Sequence, residues 1–345
     1  MKKTIYLLIG TILSSSVPLF AQDLVFEQGV GLKKLGQSTM NFLQVSIVPR
    51  AAALGEAFTV IGKGPEAIFY NPAGMAEMNG RFGVFVSGTK WIADIQYLGG
   101  AAAWKLSNVG VVGLSFMTVD YGEMYGTSLI SKSAASTNPL GYIDNGVFTN
   151  TGAFAFGLGF ARTVSSLFSI GGNVRYVSQQ LGQSITTDTN GELKDNDAQK
   201  LSFDLGVKYN TGFKSFSFGM SIRNFATSVK YEELTAQLPM TFAVGASMDM
   251  LDWFMKEHQD HSALLLLEFS HPNNYTERLH AGLEYAFMGR LFLRGGYVTN
   301  SDIADWSIGM GVNQALMGKN LELSYSYSHM QVFDNVSRIS IGVTL

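Results

Sequence analysis

The residues of this chain that could do chemistry are few and scattered. Its five histidines stand at positions 258, 261, 271, 280 and 329, and it has no cysteine. Without cysteine there are no disulfides, thiol nucleophiles or thiolate metal sites. His258 and His261 lie one helical turn apart beside Glu257 and Asp260, a spacing that a zinc ion could use. Acids of this kind are also ordinary surface residues, so no metal is expected. Asp188, Asp195 and Asp197, with Asn190 and Asn196, offer oxygen ligands to calcium, but not at the spacing of an EF-hand. They read as a solvated polar loop. No Gly-x-Ser-x-Gly elbow occurs in the sequence, so serine hydrolase chemistry has no visible nucleophile. His280 and Glu284 share one face of an alternating segment and read as members of an interior polar network. The expectation is a protein with no catalytic residue, no cofactor and no metal.

The elements that position these residues are read from alternation. In Leu321-Glu322-Leu323-Ser324-Tyr325-Ser326-Tyr327-Ser328, apolar or aromatic side chains occupy the odd positions and polar ones the even positions. Successive side chains of a strand point to opposite faces, so this segment has one greasy and one wet face. Ile339, Ile341, Val343 and Leu345 repeat the pattern in the last segment. About fourteen such segments follow Gly80, near 80–87, 95–106, 110–121, 153–162, 168–180, 201–209, 216–223, 241–250, 263–270, 278–287, 291–299, 307–315, 321–329 and 336–345. This is the signature of a transmembrane antiparallel β-barrel. The connections give an independent check. Those at 107–109, 163–167, 210–215, 288–290 and 316–320 are short and alternate with longer ones at 122–152, 181–200 and 224–240. Outer-membrane barrels alternate short periplasmic turns with long outer loops in this way. Leu251–His261 is long where a short turn is due and reads as a small helix at the periplasmic rim.

Composition agrees, with 38 glycines and 12% aromatic residues. A net charge of −3 gives no sign of nucleic-acid binding. Lys2 and Lys3, followed by the apolar stretch Thr4–Leu13, read as a secretory signal, with cleavage expected after Ala21. No stretch has the roughly 18–20 consecutive apolar residues of a membrane helix. The expected organisation is a signal peptide (1–21), an N-terminal plug or hatch (22–79) and an outer-membrane barrel (80–345). Inward positions carry Arg175, Asp204, Lys208, Arg223, Glu268, Arg278, Glu284, Arg294, Glu322 and Arg338. Their mixed signs suit an ion-paired, filled interior better than an open pore. Trp91, Trp104, Tyr176, Tyr209 and Tyr297 fall near strand ends and read as girdle anchors in lipid.

The segment before the barrel lacks this alternation. It carries Arg50-Ala-Ala-Ala-Leu54-Gly55-Glu56-Ala-Phe58 and then Tyr70-Asn71-Pro72-Ala73-Gly74. Together these two elements resemble the N-terminal signature of the PorV/PorQ family, within the wider FadL-like superfamily of outer-membrane proteins. The resemblance extends over a plug, about fourteen strands and a terminal strand. It implies a subunit of type IX secretion that carries cargo from a translocon to a surface attachment complex containing a sortase. It also implies an alternative, a FadL-type transporter in which the plug moves to pass long-chain fatty acids or other hydrophobic molecules. The polar, glycine- and asparagine-rich outer loops favour protein partners over acyl chains. A hydrophobic small molecule, detergent or lipid in the barrel is the partner the alternative implies. A purely structural barrel is the third option. On the leading reading Asn71-Pro72-Ala73-Gly74 shapes the plug turn, while Arg50 and Glu56 fix the plug against lumen charges.

Overall fold

The computed structural model describes residues 38–129, 141–147, 151–185, 193–231, 234–255, 260–301 and 303–345. The expected signal peptide, residues 22–37 of the expected plug, and His258 lie outside them.

The strands are β1 (Phe82–Lys90), β2 (Gln96–Leu106), β3 (Gly110–Asp120), β4 (Tyr125–Leu129), β5 (Tyr142–Val147), β6 (Thr151–Ser165), β7 (Phe168–Ile185), β8 (Leu193–Asn210) and β9 (Ser217–Phe225). They continue with β10 (Val229–Tyr231), β11 (Leu234–Ala236), β12 (Thr241–Asp249), β13 (His261–Pro272), β14 (Arg278–Phe287), β15 (Leu291–Val298), β16 (Ala304–Leu316), β17 (Lys319–Met330) and β18 (Val336–Thr344). All but β4, β5, β10 and β11 join one closed antiparallel barrel of fourteen strands, as the alternation predicted. The first and last strands pair from Gly83↔Thr344 to Lys90↔Ser337. Closure leaves no barrel edge with unpaired backbone, which is what lipid requires of a sheet.

The two faces follow the pattern. On β17, Ser324, Ser326 and Ser328 are buried while Leu323 and Tyr325 are exposed. On β8, Ser202, Asp204 and Lys208 are buried while Leu201, Phe203, Leu205 and Tyr209 are exposed. A surface with polar groups inside and large apolar groups outside is unfavourable in water and favourable in hydrocarbon.

The departures lie beyond the barrel. β4–β5 and β10–β11 form separate two-stranded hairpins within the long connections. β7 and β8 each run for 18 residues, well past the expected ends. β5 is exposed at every position. Where neither face is buried, no two-residue period is imposed on the sequence, so alternation could not reveal β5.

Residues 38–79 run lengthwise through the lumen. At the rim of the long connections, Thr39 N–H donates to the Gln237 carbonyl at 3.0 Å. At the opposite, short-turn rim, Arg81 N–H donates to the Leu345 carbonyl at 2.6 Å. The segment is made of short pieces: 3₁₀ turns Asn41–Gln44, Pro65–Phe69 and Pro72–Glu77, and one α-helical turn, α1 (Pro49–Ala53). Pro49, Pro65 and Pro72 sit at helix starts, where a missing N–H costs no hydrogen bond. A second short helix, α2 (Leu251–Phe254), stands at the short-turn rim, where the sequence placed one.

Candidate functional site

The lumen wall has two chemically distinct parts. Small and apolar inward residues of β2, β3 and β6, including Ala101, Ala103, Val111 and Ala161, pack against Ala67, Ile68, Met75 and Met78 of the lumen segment. A larger cluster joins Ile47, Val48, Leu54, Phe58 and Tyr70 to Phe85, Met117, Ala155, Val177 and Leu266 of the wall. The sequence analysis saw only the charged part. The run Gly99-Gly-Ala-Ala-Ala103 was the available signal, since small side chains on a lumen face leave room for a packed insert.

The charged part ties the segment down. Glu284 on β14 accepts from Arg50 Nε at 2.9 Å, Arg50 Nη2 at 2.7 Å and Arg294 Nε at 2.7 Å. Arg294 also donates to Ser324 Oγ at 3.1 Å and approaches Glu322 at 3.8 Å. One step along the wall, Glu268 on β13 accepts from Thr59 N–H and Thr59 Oγ1, both at 2.9 Å. His280 Nδ1 lies 2.7 Å from the Gly55 carbonyl, and its Nε2 lies 2.7 Å from Ser270 Oγ. A carbonyl only accepts, so Nδ1 carries a proton. Both ring nitrogens of His280 are thus engaged in buried hydrogen bonds. Lys208 donates to Glu77 at 2.9 Å and to the Gly62 carbonyl at 3.2 Å. Sequence reasoning missed Glu77, because nothing in a non-alternating segment says which side chain meets the wall.

Arg175 and Asp204 stay within the wall. Their 2.7 Å pair is completed by Asn173, and by the backbone and side chain of Asn224. Arg338 donates to the Ser46 carbonyl at 2.8 Å and to Ser328 Oγ at 2.9 Å. Arg278 lies over the Tyr275 ring at 4.8 Å. Of the two residues expected to fix the plug, Arg50 meets a wall carboxylate. Glu56 instead accepts from the Tyr70 hydroxyl within the lumen segment, and Tyr70 also meets Ser46 Oγ at 2.5 Å.

Asn71-Pro72-Ala73-Gly74 meets the wall closely. Asn71 Nδ2 donates to the Thr59 carbonyl at 2.8 Å and to the Val207 carbonyl of β8 at 3.0 Å, while Oδ1 accepts from Ala73 N–H at 3.1 Å. Both donors and the oxygen of one amide are engaged. A Cβ on wall Gly206 would lie 1.9 Å from Asn71 Oδ1, and one on Gly74 would lie 2.2 Å from the Gly62 carbonyl oxygen. Only glycine admits these approaches. Leu54-Gly55 is seated the same way: a Cβ on Gly296 of β15 would lie 2.0 Å from Gly55 N.

Above this seat, towards the long-connection rim, a cavity of about 590 Å³ is floored by Ser38–Ser46 and walled by Trp91, Tyr97, Tyr275, Trp306, Arg223 and Arg338. Trp91 is thus not a girdle residue. It turns inward, packs edge-on against Tyr97 at 6.3 Å and lies under Arg338 at 5.5 Å. Trp104, Tyr176, Tyr209 and Tyr297 are exposed on the outer face. No cluster of three or more metal-ligating side chains occurs among the described residues. His261 turns to the Tyr285 hydroxyl at 2.6 Å, and Asp195 accepts from Gln183 at 2.8 Å.

Among solved structures the fold is similar to the toluene transporter TodX of Pseudomonas putida, with a TM-score of 0.53, 14% identity, 86% of this chain covered and 96% of that one. It is also similar to the toluene transporter TbuX of Ralstonia pickettii (TM-score 0.50, 13% identity, 86% and 96% covered). A FadL homologue of Pseudomonas aeruginosa gives a TM-score of 0.50 at 11% identity, with 86% and 97% covered. At these identities the likeness shows the fold alone, a FadL-like barrel. No curated protein sequence matches the chain. Residues 137–335 match the family described as type IX secretion system membrane protein PorP/SprF. The match supports the type IX secretion system expected from residues 50–74, but under PorP/SprF and not under the expected PorV/PorQ name. With more than half of its length in that match, the chain belongs to the PorP/SprF family of type IX secretion membrane proteins, as a FadL-like barrel of the outer membrane.

Proposed function

We propose that this protein is a non-enzymatic docking subunit of type IX secretion, a plugged barrel whose outer loops hold cargo or partner proteins for delivery to a surface attachment complex. One observation carries the reading. Residues 38–79 fill the lumen and are tied to the wall by buried bonds to Glu284, Glu268, His280, Val207 and Lys208. A lumen closed by so many satisfied polar contacts is a poor conduit. The accessible chemistry then lies outside it, in the hairpins β4–β5 and β10–β11 and the connections around them. The Asn71 turn and the Arg50–Glu284 pair act as the seat of the plug.

The aromatic-walled outer cavity favours a second reading, a FadL-type transporter of hydrophobic molecules. Purification from the native outer membrane under mild detergent separates the two. Co-purifying secretion subunits or secreted proteins support docking. A stoichiometric acyl chain or aromatic compound, with no protein partner, sinks it.

A further inference from the structure

The turn between β8 and β9 and the short helix α2 are stapled together at the short-turn rim, which is the periplasmic side of an outer-membrane barrel. Ser215 N–H donates to Asp252 Oδ2 at 3.0 Å, its hydroxyl donates to the same oxygen, and Asp249 N–H donates to Ser215 Oγ at 2.8 Å. Lys214 Nζ donates to the Asp252 carbonyl at 2.9 Å and lies 4.1 Å from the centre of the Trp253 ring. Lys214 adopts a φ of +51°, a strained value for a residue with a Cβ. The staple holds it there.

Trp253 does not point into the periplasm or the lumen. Its Nε1 lies 3.1 Å from Met248 Sδ, and Met248 alternates with the buried residues of β12, so it belongs to the outward, lipid-facing row. Phe213 packs edge-on against Trp253 at 6.4 Å, and Phe254 is 79% exposed. From this rim the exposed apolar surface continues up the strands to Tyr209 and Phe218 of the lipid band.

We propose that Lys214, Trp253, Phe213 and Phe254 form a binding site for a phospholipid of the periplasmic leaflet. The Lys214 ammonium takes the headgroup phosphate, and the three rings lie against the glycerol and upper acyl carbons. Three observations converge on this ligand. Among the described residues no carboxylate forms an ion pair with Lys214, and its hydrogen bond to the Asp252 carbonyl leaves N–H donors for an incoming anion. The rings are amphipathic or apolar and stand where the lipid band ends. The staple and its ring contacts pre-organise Lys214, Trp253 and Phe213, which lowers the ordering cost of binding. This site is independent of the docking reading above and survives its failure.

The natural lack of cysteine makes the test direct. A nitroxide on Phe254→Cys, at an exposed position that leaves the fold intact, reports its surroundings in reconstituted bilayers. Collision with oxygen should exceed collision with an aqueous nickel chelate. The reverse order would place the patch in the periplasm and overturn the proposal. Lys214→Gln, in nanodiscs of phosphatidylethanolamine or phosphatidylglycerol, should retain about fivefold less lipid by native mass spectrometry than wild type. Loss in both lipids identifies the phosphate, and loss only in phosphatidylglycerol identifies net anionic charge as the ligand feature. Unchanged retention in both would refute the headgroup role of Lys214.

Discussion

Glu284 is the residue on which the seat of the plug turns, and its replacement by glutamine has a magnitude that can be worked out. The carboxylate is 6% exposed and accepts three charge-assisted hydrogen bonds from two guanidinium groups. Glutamine keeps the size, removes the charge and aims an amide N–H₂ at a donor. Two arginines then lose this counter-charge, and Arg294, only 1% exposed, keeps just Glu322 at 3.8 Å. Removing one partner of a buried ion pair costs about 3–5 kcal/mol. Arg50→Met is the informative contrast. It removes two of the three bonds, but Glu284 keeps Arg294, and the Arg50 side chain is 20% exposed and partly screened. Its cost should be about 1.5–3 kcal/mol, the value of a hydrogen bond to a charged group. The double variant should show a coupling of about 1.5–3 kcal/mol between the two sites. The assay is reversible urea unfolding of the refolded barrel in lipid vesicles, followed by tryptophan emission. If Glu284→Gln costs less than about 1 kcal/mol, the pair behaves as an exposed one, and the claim that it latches the plug fails.

Other outcomes follow from neighbouring contacts. Asn71→Asp turns two donors, to the Thr59 and Val207 carbonyls, into acceptors facing acceptors. It should destabilise the barrel by at least about 3 kcal/mol in the same assay, and an effect under about 1 kcal/mol would contradict the turn's assigned role. Gly206→Ala places a methyl group 1.9 Å from Asn71 Oδ1 and should cost about 1–3 kcal/mol or more, whereas Gly295→Ala, with nothing within 4 Å of its Cβ, should be nearly silent.

The fourteen barrel strands were legible because lipid on one side and a polar lumen on the other impose a strict two-residue period, as in Leu201–Tyr209 and Leu321–Ser328. The hairpins β4–β5 and β10–β11 were not: β5 is exposed at every position, which imposes no period, and β10 and β11 have three residues each, too few to show one. The inward face of the charged strands could be read from Asp204, Lys208 and Glu284, but not their pairings. Glu284 meets Arg50 across a gap of 234 residues, a choice made by the path of the lumen segment and not by local spacing. Asn71-Pro72-Ala73-Gly74 could be recognised as a turn. That its amide grips β8 beside Gly206 required the wall. Trp91 shows the limit of position along a strand as a guide, since a residue near a strand end can turn to either side.

The central claim is that this barrel serves protein secretion and not the passage of small hydrophobic molecules. The most direct measurement is deletion of its gene in the native organism, followed by quantitative proteomics of the medium, cell surface and periplasm, with wild-type and loop-replaced complementation. The account predicts that a set of exported proteins stalls in the periplasm. Wild type should restore their export, and a variant lacking residues 122–150 outside the barrel should not. Unchanged export, with impaired growth on a hydrophobic carbon source, would contradict it.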